Sequence, residues 1–193
     1  AELRADDLRF LGQGFRGALQ ATARVADRPD GARAITALGT ARGLAVGNPQ
    51  ADAVLAGETT FELDAAQQAN GGLTVSRLQA GNGQFRVTGD GSPATGLNLD
   101  ARLNDLGLLV PGFPGPAGVR GRIQNTGPAY QVDLTATAPG DTDARITGTA
   151  AANLQSMDIR VQGTSNAAAA NPFLRTRSVE GPLSFDLRLN GRP

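Results

Sequence analysis

Histidine, cysteine, lysine and tryptophan are all absent from the 193 residues, and the 18 basic side chains are all arginine. Each absence removes a chemistry. Without His or Cys there is no Ser-His-Asp set, no thiolate nucleophile and no imidazole or thiolate metal site. Without Lys there is no Schiff base and no phosphate-cradling P-loop lysine. Aromatics amount to 4%, with a single Tyr, too few for platforms that stack bases or sugar rings. The 18 arginines are balanced by 18 acids, so the basic surplus that neutralises nucleic-acid phosphates is missing. No apolar run approaches the roughly 20 residues of a spanning helix. The opening AELRADDLRF is not a signal peptide, so any export signal or anchor is expected outside these residues. Lack of cysteine fits an oxidising periplasm and equally a cytosol.

What remains for catalysis is carboxylate chemistry. Asp6 with Asp7, or Asp141 with Asp143, has the makings of a hydrolase pair or a hard-cation site. No polar cluster surrounds either pair in the sequence, and Asp beside Thr and Gly between apolar stretches reads as turn chemistry. One further motif, Gly12-Gln13-Gly14-Phe15-Arg16-Gly17, matches the dinucleotide fingerprint and follows a candidate strand over Asp7–Leu11. With 26 glycines in the chain the spacing is weak by itself. The residues after it, Gly17, Leu19, Ala21, Ala23 and Val25 against Gln20, Thr22 and Arg24, alternate with a strand period, and the motif reads as a hairpin.

Alternation is the dominant pattern. Apolar 40% against charged 19% is enough to bury a surface and argues against wholesale disorder. Phe61, Leu63 and Ala65 alternate with Thr60, Glu62 and Asp64. Phe85 and Val87 flank Arg86, and Leu97, Leu99, Ala101 and Leu103 flank Asn98, Asp100 and Arg102. Val119, Gly121 and Ile123 oppose Arg120 and Arg122. Tyr130, Val132, Leu134 and Ala136 oppose Gln131, Asp133 and Thr135. Ile146, Gly148 and Ala150 oppose Arg145, Thr147 and Thr149. Ile159 and Val161 flank Arg160, and Leu183, Phe185, Leu187 and Leu189 oppose Ser184, Asp186 and Arg188. Successive strand residues point to opposite faces, so each stretch has one apolar and one polar side. Asp30-Gly31, Asn70-Gly71, Asn82-Gly83 and Asp90-Gly91 supply hairpin signals between them. The expected fold is all-β, a largely antiparallel meander with one apolar and one polar face. Strand should exceed about 45% and helix stay under about 15%. Residues 27–57, with the Ala- and Gly-rich text ARAITALGTARGLAVG, also tolerate a helix.

Two breaks interrupt the meander, at 104–118 and 165–174. NDLGLLVPGFPGPAG begins with one or two helical turns and is then blocked by Pro111, Pro114 and Pro116; SNAAAANPFL reads as a short helix or loop stopped by Pro172. Each leads through a Gly-Pro pair, Gly115-Pro116 or Gly181-Pro182, into a new strand. They read as crossovers capping a sheet end or as plugs at a groove rim, the capping reading being preferred.

The stretch Leu99–Leu106 running into Leu109-Val110-Pro111-Gly112-Phe113-Pro114-Gly115-Pro116, and the later Asn171-Pro172-Phe173-Leu174 followed by Gly181–Gly191, resemble the TamB (AsmA-related) family in its alphaproteobacterial form. The resemblance covers about residues 95–191; before that it is one of style only. That family has no catalytic motif to transfer. The resemblance implies that residues 1–193 are a single β-taco segment, an all-β, largely antiparallel sheet curled into a trough that is apolar inside and polar outside, of a longer, inner-membrane-anchored periplasmic protein of a Gram-negative bacterium. It implies work with an outer-membrane barrel partner (TamA/BamA-like) in autotransporter and outer-membrane protein assembly, and phospholipid transport between membranes. Neither a cofactor nor an enzymatic activity is expected. The hydrophobic groove for lipid or an unfolded substrate strand is assigned to Phe61, Leu63, Phe85, Val87, Leu97, Leu99, Val132, Leu134, Ile146, Ile159, Val161, Phe185, Leu187 and Leu189. Two rivals stand beside it: an exported β-repeat acting by strand addition, as an adhesin or a strand chaperone, and a carbohydrate-active β-protein.

Overall fold

In the computed structural model, residues 2–9, 14–69, 71–92, 94–153, 155–174 and 176–191 are described. Strand accounts for 62%. The chain divides into two compact units, Ala1–Ser92 and Pro93–Pro193. The first contains β1 (Glu2–Ala5), β2 (Arg16–Asp27), β3 (Arg33–Ala45), helix α1 (Pro49–Leu55), β4 (Glu58–Gln67), β5 (Leu73–Gly81) and β6 (Phe85–Ser92). The second contains β7 (Gly96–Leu103), β8 (Ala117–Asn125), β9 (Ala129–Ala138), β10 (Thr142–Ala151), β11 (Met157–Asn166) and β12 (Pro182–Gly191), with 3-10 stretches at Leu106–Leu108 and Ala167–Phe173. In each unit strand order is sequence order, neighbours are antiparallel, and the sheet stays open. The all-β, antiparallel expectation holds.

The turns follow local chemistry. Between β2 and β3 the Arg28 amide donates to the Ala32 carbonyl and Gly31 takes φ +77°, a conformation that glycine adopts without steric cost. Between β5 and β6 the Asn82 carbonyl oxygen accepts the Gln84 and Phe85 amides, while its Nδ2 donates to the Val54 and Ala56 carbonyls. One side chain thus ties the hairpin to the end of α1. That helix, placed after a full strand across 33–45, resolves the ambiguity of residues 27–57: β3 pairs with β2 on one side and β4 on the other. Asn48 caps α1 by accepting from the Gln50 and Ala51 amides, with Pro49 at the first position.

Several expectations are corrected. Asp90-Gly91 is not a turn but lies inside β6, where Gly91 pairs with Val75 at a register shift and takes φ +112°. Its glycine serves a bulge instead of a hairpin. Of the strand expected over Asp7–Leu11, Phe10 and Leu11 lie outside the described residues, and Asp7–Arg9 are not strand: the Asp7 carboxylate accepts both the backbone amide and Nε of Arg9, closing a local turn after β1. Of the dinucleotide-like motif, Gly12 and Gln13 lie outside the described residues; Gly14 is in a turn and β2 starts at Arg16, so a strand follows where that motif needs a helix. Pro172 does not stop the second break. It sits within the 3-10 stretch, which ends at Phe173, and Ser165 still belongs to β11.

Both breaks of the second unit lie at one end of its sheet, since β7 and β11 run in the same direction and each leads into a 3-10 stretch there. Asp105 Oδ1 accepts the Gly107 and Gly115 amides at 2.9 Å, tying the first break shut. The Phe113 ring stacks on Phe173 of the second break, centroids 5.5 Å apart. The β9–β10 turn between them joins the cluster: the Asn166 amide donates to the Gly140 carbonyl, and Gly140 lies against Ala169. The two breaks and this turn thus form one cluster at that end of the sheet.

Candidate functional site

Register decides which side chains share a face, because directly paired residues point the same way. In the second unit the ladder runs Leu99↔Gly121, Gly121↔Leu134, Leu134↔Ile146, Ile146↔Val161 and Val161↔Leu187. A parallel row runs Leu97↔Ile123, Ile123↔Val132, Val132↔Gly148, Gly148↔Ile159 and Ile159↔Leu189. Phe185 sits opposite Gly163 on the same side. All ten groove candidates of this unit therefore lie on one face, in rows that cross six strands. Among the described residues of the unit no second sheet lies over that face. Most of these side chains are half-buried by their neighbours, and Leu187 and Leu189 are 56% and 48% exposed. Among the described residues the buried apolar positions are small, apart from Leu8: Ala32, Ala41, Ala65, Ala66 and Ala144.

The opposite face of this unit carries bidentate ion pairs. Arg145 donates Nε and Nη2 to Asp133, Arg160 to Asp186, and Arg188 to Asp158. Arg160 and Arg188 are directly opposed, and each turns to an acid two residues along the other strand. The Arg188 hydrogen bonds hold the Asp158 carboxyl below the usual carboxylate range, and those of Arg160 do the same for Asp186. Asp105 is lowered too, by the Gly115 and then the Gly107 amide. These carboxylates are engaged as acceptors in ion pairs and caps.

In the first unit, Phe61, Leu63 and Val87 also share a face, through Phe61↔Ala80, Leu63↔Leu78 and Ala80↔Val87; Phe85, two residues before Val87, follows by strand alternation. A Cβ placed on Gly39 would lie 2.6 Å from Phe61 Cζ, and one on Gly163 would lie 2.8 Å from Phe185 Cζ. Each phenyl ring thus covers a bare glycine on the neighbouring strand, an arrangement that stabilises glycines within sheets. A hollow of about 900 Å³ also opens in this unit. Phe61 and Phe85 are among its walls, with Leu38, four threonines (22, 40, 60 and 88), Glu62, Gln79 and Arg86; Leu63 and Val87 are not. Most of these walls belong to the polar side of the register.

The carboxylate pairs fall in places of different kind. Asp141 takes φ +51° in the β9–β10 turn, as turn chemistry requires, whereas Asp143 is the second residue of β10. Asp6 pairs with Arg4 and Asp7 with Arg9. Among the described residues no group of three acids is placed to hold a metal ion, and no helix is long and apolar enough to cross a membrane. What the geometry presents is apolar contact area on one side and an ion-paired surface on the other. The cross-strand glycines and β5 escape sequence reading; the β5 alternation slips at a bulge after Val75, which hides its period.

Comparison with family models, with curated proteins and with solved structures finds no match.

Proposed function

We propose that this chain is a non-enzymatic periplasmic segment of a TamB-like translocation and assembly module subunit. In this reading it supports outer-membrane protein and autotransporter assembly and the passage of phospholipid between membranes, offering its apolar sheet face to hydrophobic cargo and working with an outer-membrane barrel partner. The observation that carries the reading is the apolar face of the second unit, continuous over six strands and covered by no second sheet among the described residues of that unit. A sandwich would fill such a face with interdigitated side chains. Here Gly121 and Gly148 interrupt the two rows of leucine, isoleucine and valine, and beside them runs a third row of Ala101, Val119, Ala136, Ala144, Gly163 and Phe185, so the face mixes large apolar side chains with small ones. Each methylene taken from water onto such a surface gains about 0.8 kcal/mol. An acyl chain therefore needs no hydrogen-bond code there, and can slide.

An ion facing hydrocarbon without a partner is costly, which sets the test. Leu134→Arg and Leu187→Arg place a charge on the apolar face; Thr135→Arg and Ser184→Arg place the same charge on the other side. Leu187, already 56% exposed, is the inner-face site least prone to unfold the sheet. With folding verified by circular dichroism, the two leucine variants lose crosslinking to a photoactivatable phospholipid and the two controls keep it. Equal crosslinking by all four variants overturns the reading.

A further inference from the structure

The hollow of about 900 Å³ in the first unit lies on the polar side of the sheet, away from the apolar face. Register arranges its walls in two rows that cross β2–β6. One row runs Gln20↔Thr40, Thr40↔Thr60, Thr60↔Gly81 and Gly81↔Arg86. The other runs Thr22↔Leu38, Leu38↔Glu62, Glu62↔Gln79 and Gln79↔Thr88. Neighbouring strands are about 4.8 Å apart, so each row extends about 19 Å, and the two rows lie roughly 7 Å apart along the strands. Between them the floor is backbone, since the side chains of Ala21, Gly39, Phe61 and Ala80 belong to the other face by alternation. The volume falls within the roughly 300–1,000 Å³ common to ligand sites. The rows also hold unused hydrogen-bonding capacity. Among the described residues, Gln20, Thr22, Thr40, Gln79 and Thr88 make no side-chain hydrogen bond within the chain, and Arg86 has no acid partner. The carboxylates are committed: Glu62 holds Arg77 at 3.4 Å and Glu58 holds Arg42 at 2.5 Å. On the polar face of the second unit, by contrast, Arg145, Arg160 and Arg188 are each closed on an aspartate. One residue is out of place. Leu38, 60% exposed, stands in the polar row between Thr22 and Glu62.

We propose that this hollow binds a short linear oligosaccharide, laid across strands β2–β6. The proposal is independent of what the apolar face carries. Threonine hydroxyls and glutamine amides each donate and accept, which suits a ligand whose own hydroxyls do both. A sugar ring also presents C–H faces, and Leu38 supplies the apolar surface on which one can rest. Other ligand classes fit less well. With the acids already paired, no free negative charge is left to hold a cation, and a single unpaired guanidinium is too little for a nucleic-acid backbone. A hydrocarbon chain would leave the hydroxyls and amides desolvated and unbonded. A peptide strand finds no open edge, because β2, β3, β4 and β5 are each bonded on both sides. Neither row contains an aromatic side chain, so the ring stacking that tightens sugar binding is absent and the dissociation constant is expected in the millimolar range. Arg86 adds a selection: a carboxylate on a sugar beside it gains a charge-assisted hydrogen bond.

Two probes that share one backbone test this: cellotetraose, and its uronate counterpart in which the hydroxymethyl groups are oxidised to carboxylates. Titrated into the isotope-labelled chain and followed by NMR, each should shift amides of β2–β6 and leave those of β7–β12 in place. The uronate should bind several-fold more tightly. Thr22→Val and Thr40→Val each remove one hydroxyl while keeping a β-branched side chain that suits a strand, and each should weaken both probes several-fold. Thr147→Val, which makes the same change on the polar face of the second unit, should bind as the wild type does. Arg86→Gln should bring the two affinities together without abolishing either. The amide spectrum of each variant reports its folding in the same experiment. The proposal is overturned if neither probe shifts β2–β6, or if the shifts spread equally over both units. Undiminished binding by the Thr22 and Thr40 variants, equal loss in Thr147→Val, or a uronate preference that survives Arg86→Gln would each overturn it as well.

Discussion

Asn48, Asp105 and Asn166 do the same work at three places. Each side-chain oxygen accepts a backbone amide two residues on, where a strand gives way to a short helical stretch. Asx residues compete with extended pairing in this way, so the breaks are written in single residues more than in segment propensity. Asn82 goes further by tying α1 to a hairpin. Asn82→Ala should lower stability by about 1–2 kcal/mol, since the Val54 and Ala56 carbonyls lose a donor; urea unfolding measures it. The in-sheet glycines are a second residue-scale case. A methyl on Gly39 would meet the Gln20 carbonyl oxygen at 2.5 Å as well as the Phe61 ring, and one on Gly163 would meet the Asp143 carbonyl and the Phe185 ring. Gly39→Ala and Gly163→Ala should therefore each cost about 1–3 kcal/mol through overpacking. Gly83→Ala, with nothing within 4 Å of the new methyl, should be close to neutral. These glycine roles are invisible in the sequence, because the ring that covers each glycine sits 22 residues further on, in the next strand.

At the scale of elements, the strands were legible wherever one face alternated cleanly with the other. Leu97–Leu103, Tyr130–Ala136 and Leu183–Leu189 all fall within β7, β9 and β12. Where both faces carry small residues the period fades: β3 sets Ile35, Ala37, Gly39 and Ala41 against Ala34, Thr36, Leu38 and Thr40, and only pairing on both sides makes it a strand. Ion pairs between elements give a pH signature. Asp158, Asp186 and Asp105 have carboxyls lowered in the folded chain, so their stabilisation is present above the unfolded carboxylate value of about 3.9 and is lost as pH falls through the lower folded value. With no histidine in the sequence, no side chain with an ordinary pKa titrates between about pH 5 and 8. Thermal melts should give a flat Tm across that window and a fall below about pH 4. Added salt should shrink the part owed to the exposed Asp158 and Asp186 pairs.

For the molecule as a whole, composition and periodicity carried the fold class, and the two breaks stood out by their prolines. Within each unit, which side chains share a face was also legible, because period two fixes faces once a strand exists. Which faces stay uncovered was not, since that depends on layers no local pattern encodes. Neither was the division into two units. One property of the topology has a kinetic meaning. Every strand in each unit is bonded only to the strands before and after it in the chain, so almost every contact is made by a single hairpin closure and none waits for the two ends of the unit to meet. Loop-closure entropy is then paid in small instalments, and assembly can begin at any hairpin and spread, as it does in linear repeat arrays. The same linearity removes the all-or-none restraint of a closed barrel. Amide protons should exchange on a gradient, slowest in β9 and β10 and fastest in β12, and denaturation should broaden as strands peel from the rim one at a time.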